Sequence, residues 1–424
     1  MRPPFLATLL IPRLPFHYCW VVLGCVCLAG FARQGPAVAV LSIFVTPMTS
    51  ELGWSRTEIS GAVSLGGLLA ALVSPVLGPV LDRRGARLVL TLAVLGVGLA
   101  CMGLSLVATL PAFYLGFCFA RMVWAGPYDL GLYGALNAWF VSRRALANSI
   151  ASLAQLAGLV ALPLVAQLAM RDGGWRAAWV AVGATVLIVG LLPVWLLIVR
   201  RPEDVGLTPD GAAAADASAA AAEPSFTRGE AMRTPAFWLL TLYTVLVFPV
   251  QAGVSLHQAP HLIERGLSPM AAAGVVAVFS SLSALAAFGL GFLPRRWPVR
   301  HAMAASAAAL AVGTFGLLAV HDAAGAYLAG GLFGAGIGGV MTLLPLAWAD
   351  YFGRRSYGAI RGVALSAQVL AQAAGPLLSG ILRDATGDYT ASLLVLGTLA
   401  ALAVVAAVVA RRPAPERGAG RDPS

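Results

Sequence analysis

The chain of 424 residues contains no lysine; its 28 basic residues are all arginine. Charge of any kind is scarce: 11% of residues are charged against 59% hydrophobic, and the mean hydropathy is +0.84. A soluble chain with that balance would precipitate, so a water-soluble globular class is excluded. Only five histidines occur. The chain has no His/Cys/Asp ligand spacing, no serine nucleophile elbow and no phosphate-binding glycine loop, which argues against a membrane enzyme. No metal and no cofactor are expected. Cysteine is equally thin. Cys19, Cys25, Cys27, Cys101 and Cys118 all fall inside apolar blocks, and Cys25-x-Cys27 has no partner pair in a loop. They support neither a disulfide framework nor a metal site and read as small packing residues. Alternating short strand-like segments are absent too, which excludes a membrane barrel. The formal charge of +10 would suggest nucleic acid on a soluble protein. Here the arginines sit in short loops between apolar blocks, so the charge reads as topology and no nucleic-acid partner is expected.

The apolar blocks are about 20 residues or longer, the length a helix needs to cross ~30 Å of hydrocarbon. They lie at 17–46, 57–80, 88–109, 112–140, 146–169, 175–199, 235–258, 270–293, 301–320, 324–350, 360–382 and 389–410. Backbone polar groups in lipid must be satisfied within a segment, so helices are expected. The first block has no small-residue cleavage site after a short core and reads as a retained helix, not a signal peptide. The N-terminus, the even-numbered loops and the C-terminus hold 21 arginines; the odd-numbered loops hold 5, namely Arg56, Arg171, Arg176, Arg265 and Arg383. This asymmetry puts both termini in the cytoplasm. The longest break, 200–234, carries an alanine-rich tract from Ala212 to Ala222 that cannot bury a core. The expected organisation is an N-terminal six-helix bundle (1–199), a cytoplasmic linker (200–234), a C-terminal six-helix bundle (235–410) and a cytoplasmic tail (411–424). The class is an all-α membrane protein of twelve transmembrane helices.

The two bundles repeat. Gly78-Pro-Val-Leu-Asp82-Arg83-Arg84-Gly85-Ala-Arg87 returns 213 residues later, more weakly, as Gly291-Phe-Leu-Pro-Arg295-Arg296-Trp-Pro-Val-Arg300. Glu51-Leu-Gly53-Trp-Ser55 maps to Glu264-Arg-Gly266-Leu-Ser268, Pro36 to Pro249 and Gly126 to Gly339, all at that offset. A basic tight turn between two membrane helices, once per half, marks a duplicated transporter. The first, fourth, seventh and tenth blocks carry extra glycine and proline, which suggests bent helices lining a cavity between the halves.

Gly78-x-x-x-Asp82-Arg83-x-Gly85-x-Arg87 resembles, residue by residue, the loop 2–3 signature of the major facilitator superfamily. Over about 15–410 the chain is similar to that superfamily throughout. Gly53-Trp54-Ser55-Arg56, Trp139-Phe140-Val-Ser-Arg143-Arg144-x-x-Ala147, Arg201-Pro202-Glu203-Asp204-Val-Gly206-Leu-x-Pro209-Asp210-Gly211 and Tyr351-Phe352-Gly353-Arg354 resemble its monocarboxylate transporter and oxalate:formate antiporter branch. The resemblance implies secondary transport by alternating access. It also implies a gate made by Gly78, Asp82, Arg83, Gly85 and Arg87, in which Asp82 docks on the N-terminus of the eleventh helix. That dipole favours an anion. In the second copy Arg295 stands where Asp82 would, so the matching latch is expected to be weak or absent. The branch's carboxylate site does not carry over. The eighth block has no charge, the eleventh has no basic residue at its middle and offers Gln368 and Gln372, and Ala37 stands where the animal transporters have a lysine.

The site must therefore be argued from buried charge. A charged side chain at mid-span costs about 2.5–3.5 kcal/mol on insertion scales and usually faces a cavity. Arg33, Arg121 and Asp129 qualify. Arg33 lies near the centre of its block. Arg121 and Asp129 are eight positions apart on similar faces, about 12 Å along a straight helix, with Gly126-Pro127 between them. The repeat places Leu246, Gly334 and Thr342 opposite them, which confines charge to the N-terminal half. Arg33 and Arg121 are expected to attract a small organic anion, since a guanidinium matches a carboxylate bidentately; the alternative is a structural charge network holding the first and fourth helices together. Asp129 is a candidate proton-coupling group, and His257, with His261 nearby, is another. Tyr128, Gln251 and Gln368, with Tyr133 and Trp348, are candidate cavity-lining residues. The alternative to a monocarboxylate carrier is an exporter of drug-like or hydrophobic compounds. The partners expected are the anion, protons and the lipid bilayer, for a monomer in a bacterial inner membrane.

Overall fold

The structure, a computed structural model, describes residues 4–211, 225–292 and 297–413. The described residues are helical throughout, with no strand. The helices are α1 (Phe5–Leu10), α2 (Cys19–Ala32), α3 (Val38–Leu52), α4 (Arg56–Arg84), α5 (Ala86–Gly103), α6 (Leu110–Ala125), α7 (Pro127–Trp139), α8 (Arg144–Val186), α9 (Leu192–Leu197), α10 (Arg228–Arg233), α11 (Pro235–Glu264), α12 (Pro269–Leu290), α13 (Val299–Leu318), α14 (Ala323–Phe352), α15 (Tyr357–Thr386) and α16 (Thr390–Val409). Among the described residues nine helices are long and apolar enough to cross a membrane, the longest running Arg144–Leu197. At 1.5 Å per residue that run is too long for one crossing. Gly174, at φ 69°, ψ −173°, breaks it.

Local chemistry sets the helix starts. Ser55 accepts from the Glu58 amide while the Glu58 carboxylate accepts from the Ser55 amide, a capping box at the start of α4. Thr227 and Glu230 repeat the device at α10. Thr234, Ser268 and Asp322 cap α11, α12 and α14.

The first and fourth blocks are broken, not merely bent. Arg33–Ala37 separates α2 from α3, and Gly126, at φ −103°, ψ −94°, separates α6 from α7. Each break holds a Gly-Pro pair, Gly35-Pro36 and Gly126-Pro127. The residue before proline is disfavoured in the α region, and glycine can leave it freely. The seventh and tenth blocks differ: α11 and α14 run unbroken through Pro249 and Pro345, where Phe248 and Leu344 precede the proline.

Segments 1–199 and 235–410 meet along α4 and α15 and where α8 touches α12 and α14. The α4–α15 approach is backbone to backbone. A Cβ on Gly78 would overlap the Gly358 carbonyl, and one on Gly362 would overlap the Ser74 carbonyl. Ser366 Oγ donates to the Ala71 carbonyl across the same line. Ser149 Oγ donates to the Ala287 carbonyl at 2.6 Å, and Arg354 Nη1 to the Ala138 carbonyl at 2.9 Å. Large apolar side chains such as Leu72, Val76, Leu115, Leu164 and Leu402 point outward, as a lipid-facing surface requires. The alanine-rich tract and the centre of the second loop copy, including Arg295 and Arg296, lie outside the described residues.

Candidate functional site

The breaks in the first and fourth blocks bring charge into the centre. Arg33 caps the C-terminus of α2, and Asp129 sits in the first turn of α7. Arg33 Nη2 lies 3.1 Å from Asp129 Oδ1. The same guanidinium donates from Nε to the Trp124 carbonyl at 3.0 Å and from Nη1 to Gln155 Oε1 at 2.8 Å. Arg33 is thus held on three sides by protein acceptors. Arg33, expected to attract an anion, meets Asp129 in this structure, the arrangement of a charge network joining the first and fourth blocks.

Arg121 is different. Its guanidinium carbon stacks 3.9 Å from the Trp124 ring centroid, and its Nε and Nη1 are buried without a hydrogen-bond partner. Arg33 lies over the same indole at 4.6 Å. The Gly126 break leaves Arg121 and Asp129 on separate helices, so they do not pair. A buried cation facing an aromatic ring and lacking an acceptor is poised for an anion.

The confinement of charge to the N-terminal half is also corrected. Arg361, on α15, is 2% exposed. Its Nη2 lies 3.8 Å from Asp129 Oδ2 and donates to Gln368 Oε1; its Nε and Nη1 have no hydrogen-bond partner. Asp129 therefore joins three helices, tightly to Arg33 and loosely to Arg361. By its spacing after Arg354-Arg355, Arg361 reads as one more loop arginine. The signal was available, because a helix whose first amides receive Asp82 puts Arg361 already in its second turn. Gln155, an amide within an apolar block, was open to the buried-polar argument in the same way.

The other expected lining residues divide. Gln251 accepts from Gln372 Nε2 at 3.2 Å, pairing α11 with α15, and Gln368 holds Arg361. Tyr128 is fully buried and its hydroxyl donates to the Ala29 carbonyl at 2.8 Å, so it ties α7 to α2. Tyr133 Oη lies 3.4 Å from Gln155 Nε2, and Trp348 packs among Phe237 and Phe352. His257 lies not in the central cluster but against Tyr389, its Nδ1 3.3 Å from the hydroxyl. His261 meets the Leu317 carbonyl.

At the junction of α4 and α5, Asp82 accepts from the Gly358 amide through Oδ1 and from the Ala359 amide through Oδ2, both at 2.8 Å. A carboxylate thus closes the first turn of α15, where the dipole and the orphan amides favour it. Arg200 Nη2 donates to the Asp82 carbonyl at 2.8 Å. Gly85, at φ 85°, turns the chain against the Arg200 stem. Arg87 donates from Nε to the Trp195 carbonyl and stacks on that indole at 4.5 Å. Arg83 is exposed. No group of three or more possible metal ligands occurs among the described residues.

A family model described as Major Facilitator Superfamily matches residues 22–376. The chain is 30% identical over 396 residues to human Monocarboxylate transporter 11, covering 90% of this chain and 80% of that protein. It is 28% identical over 248 residues to the Oxalate:formate antiporter of Oxalobacter formigenes, covering 58% and 55%. The proton:xylose symporter XylE, solved with 6-bromo-6-deoxy-D-glucose, superposes with a TM-score of 0.75 at 15% identity over 92% of this chain and 94% of that one. The human organic anion transporter MFSD10 (TETRAN) gives 0.67 at 17% identity over 91% and 97%.

Proposed function

The chain belongs to the Major Facilitator Superfamily, and from that premise we propose that it carries a small organic anion, in particular a monocarboxylate, across the membrane by alternating access. It is a multi-pass membrane transporter and not an enzyme. The nine long helices become twelve crossings when Arg144–Leu197 counts as two and each pair of half-helices, α2 with α3 and α6 with α7, counts as one. Residues 1–199 and 235–410 are then the two rocking bundles, 200–234 the linker and 411–424 the tail. The arginine asymmetry puts both termini and the Asp82 gate in the cytoplasm. The proposed setting is a bacterial inner membrane, the proposed state a monomer.

One observation carries the choice of an anion: the buried Nε and Nη1 of Arg121 have no partner while Trp124 covers the guanidinium. Nε and Nη1 stand on different edges of the guanidinium, each beside Nη2, and a carboxylate offers two acceptors to either edge, Nε with Nη2 or Nη1 with Nη2. The relatives named for monocarboxylate and oxalate:formate transport agree with this choice. In this reading Arg121 binds the anion. Arg33 holds Asp129, whose proton couples to transport or whose pairing changes during exchange. Gln251 and Gln368 lie on the opposite wall, and His257 is a second proton site. Gly78, Asp82, Arg83, Gly85 and Arg87 gate the cytoplasmic side. The test is uptake of labelled short monocarboxylates into proteoliposomes, with and without an imposed pH gradient. Saturable uptake lost in Arg121→Gln supports the reading. Uptake no greater than in protein-free liposomes, or equal uptake by Arg121→Gln, overturns it.

A further inference from the structure

Between the central charges and the Asp82 gate runs a buried polar seam that the anion site above does not use. On α7, Asp129, Tyr133 and Asn137 recur every four residues; on α8, Arg144, Asn148 and Ser152 do the same. That spacing puts each set on one stripe of its helix. Tyr357 and Arg361 form a third, short stripe on α15. Contacts tie the stripes together. Arg144 donates to the Asn137 carbonyl at 3.3 Å, Gln155 reaches Tyr133 one turn beyond Ser152, and Arg361 reaches Asp129.

The seam is closed, and several of its polar groups are unmatched. Asn137 and Asn148 are fully buried, and neither side-chain amide has a hydrogen-bond partner at either end. The Tyr357 hydroxyl has none, nor do Nε and Nη1 of Arg361. A structural network would satisfy its members, because each unmade bond in a buried group costs free energy. Here the unmatched groups follow one line, and that line borders the contact between the two bundles. Such a line suits a surface that is wetted for part of a cycle and shut for the rest.

We propose that this seam is the route by which the anion passes to the Asp82 side, and that Arg361 is its second binding station. The inference rests on the anion-transport reading above. When the Asp82 cap and the Gly78–Gly358 contact part, α15 withdraws and takes Arg361 from Asp129. Nη2, once parted from Asp129, completes a two-donor edge with the unpaired Nε or Nη1, and that edge matches the carboxylate that Arg121 releases. The amides of Asn137 and Asn148 continue the line of donors toward Arg144.

Two measurements test this. Asn148→Cys and the near-isosteric Ser152→Cys are treated with N-ethylmaleimide, and modification is read at that position by mass spectrometry, with and without Asp82→Asn. Modification should be about tenfold faster once the cap is weakened, the shift expected from losing a charge-assisted bond. Equally slow modification at both positions in both backgrounds overturns the route. Labelled lactate is then followed in Arg361→Gln. Efflux from preloaded proteoliposomes should fall by about 10- to 150-fold, and Arg361→Lys should recover only part of it, because a point charge lacks the two-donor edge. Wild-type efflux in Arg361→Gln overturns the second station. If the wild-type protein neither binds nor moves lactate, the monocarboxylate reading fails, and the cysteine experiment still decides the route.

Discussion

Arg33 and Arg121 have the same charge and share one indole, yet they are not equivalent. Arg33 is answered by a carboxylate, an amide oxygen and a carbonyl, whereas Arg121 keeps two buried N–H groups unanswered. Gln at position 121 should weaken carboxylate binding by ~1.5–3 kcal/mol, or 10- to 150-fold, through loss of a charge-assisted bond. It should not lower the melting temperature, because it removes an uncompensated buried charge. Lys should restore binding only in part, since a point charge lacks the fork. Arg33→Gln should do the reverse and destabilise the protein by about 3 kcal/mol, leaving Asp129 without its close partner. Adding Asp129→Asn should recover most of that loss. Thermal unfolding and binding measured on the same detergent-purified samples separate the two arginines; a wild-type melting curve for Arg33→Gln would refute its structural role. The sequence marked both residues by the cost of charge in a membrane. It did not tell them apart, because the pairing depends on where the chain breaks.

Among the helices, the closest contact is that of α4 with α15. The Gly78 and Gly358 backbones touch with no room for a methyl group, and Asp82 caps the same helix end. Gly78→Val should therefore hold the gate open: lactate binding from the outside should fall sharply while the protein stays folded. Asp82→Asn should slow transport and leave affinity nearly unchanged; a large loss of affinity at normal turnover would contradict the latch. The cap at Asp82 was legible through the loop signature, and the capping box at Ser55 is written in Ser55-Arg-Thr-Glu58. Breaks were less legible. Gly-Pro interrupts the first and fourth blocks, yet α4 and α15 run on through Gly78-Pro79 and Gly375-Pro376. There each glycine is pressed against a facing backbone, Gly358 or Pro249. The dipeptide permits a break, and the neighbouring helix decides whether it happens.

At the scale of the molecule, the repeat offset of 213 and the blocks of about 20 apolar residues announced a duplicated helical transporter. Meetings between the halves were hidden, because Asp129 and Arg361 are 232 positions apart and only packing joins them. If the bundles rock about that junction, labels at Ser60 and Ala273, in the second turns of α4 and α12, should change separation when substrate saturates the protein. An unchanged distance distribution would count against rigid-body rocking. The junction also holds three guanidiniums, Arg33, Arg121 and Arg361, against one carboxylate, Asp129, a surplus of two positive charges. If one monocarboxylate binds without a proton, it lowers that surplus to one, and the loaded and empty carriers then differ by a unit charge wherever they stand in the bilayer. A unit charge moved across the whole membrane feels about 2.3 kcal/mol per 100 mV. In that mode voltage acts unequally on the loaded and the empty half of the cycle and membrane potential is a driving term alongside the substrate gradient, whereas a proton taken up with the anion on Asp129 cancels the difference.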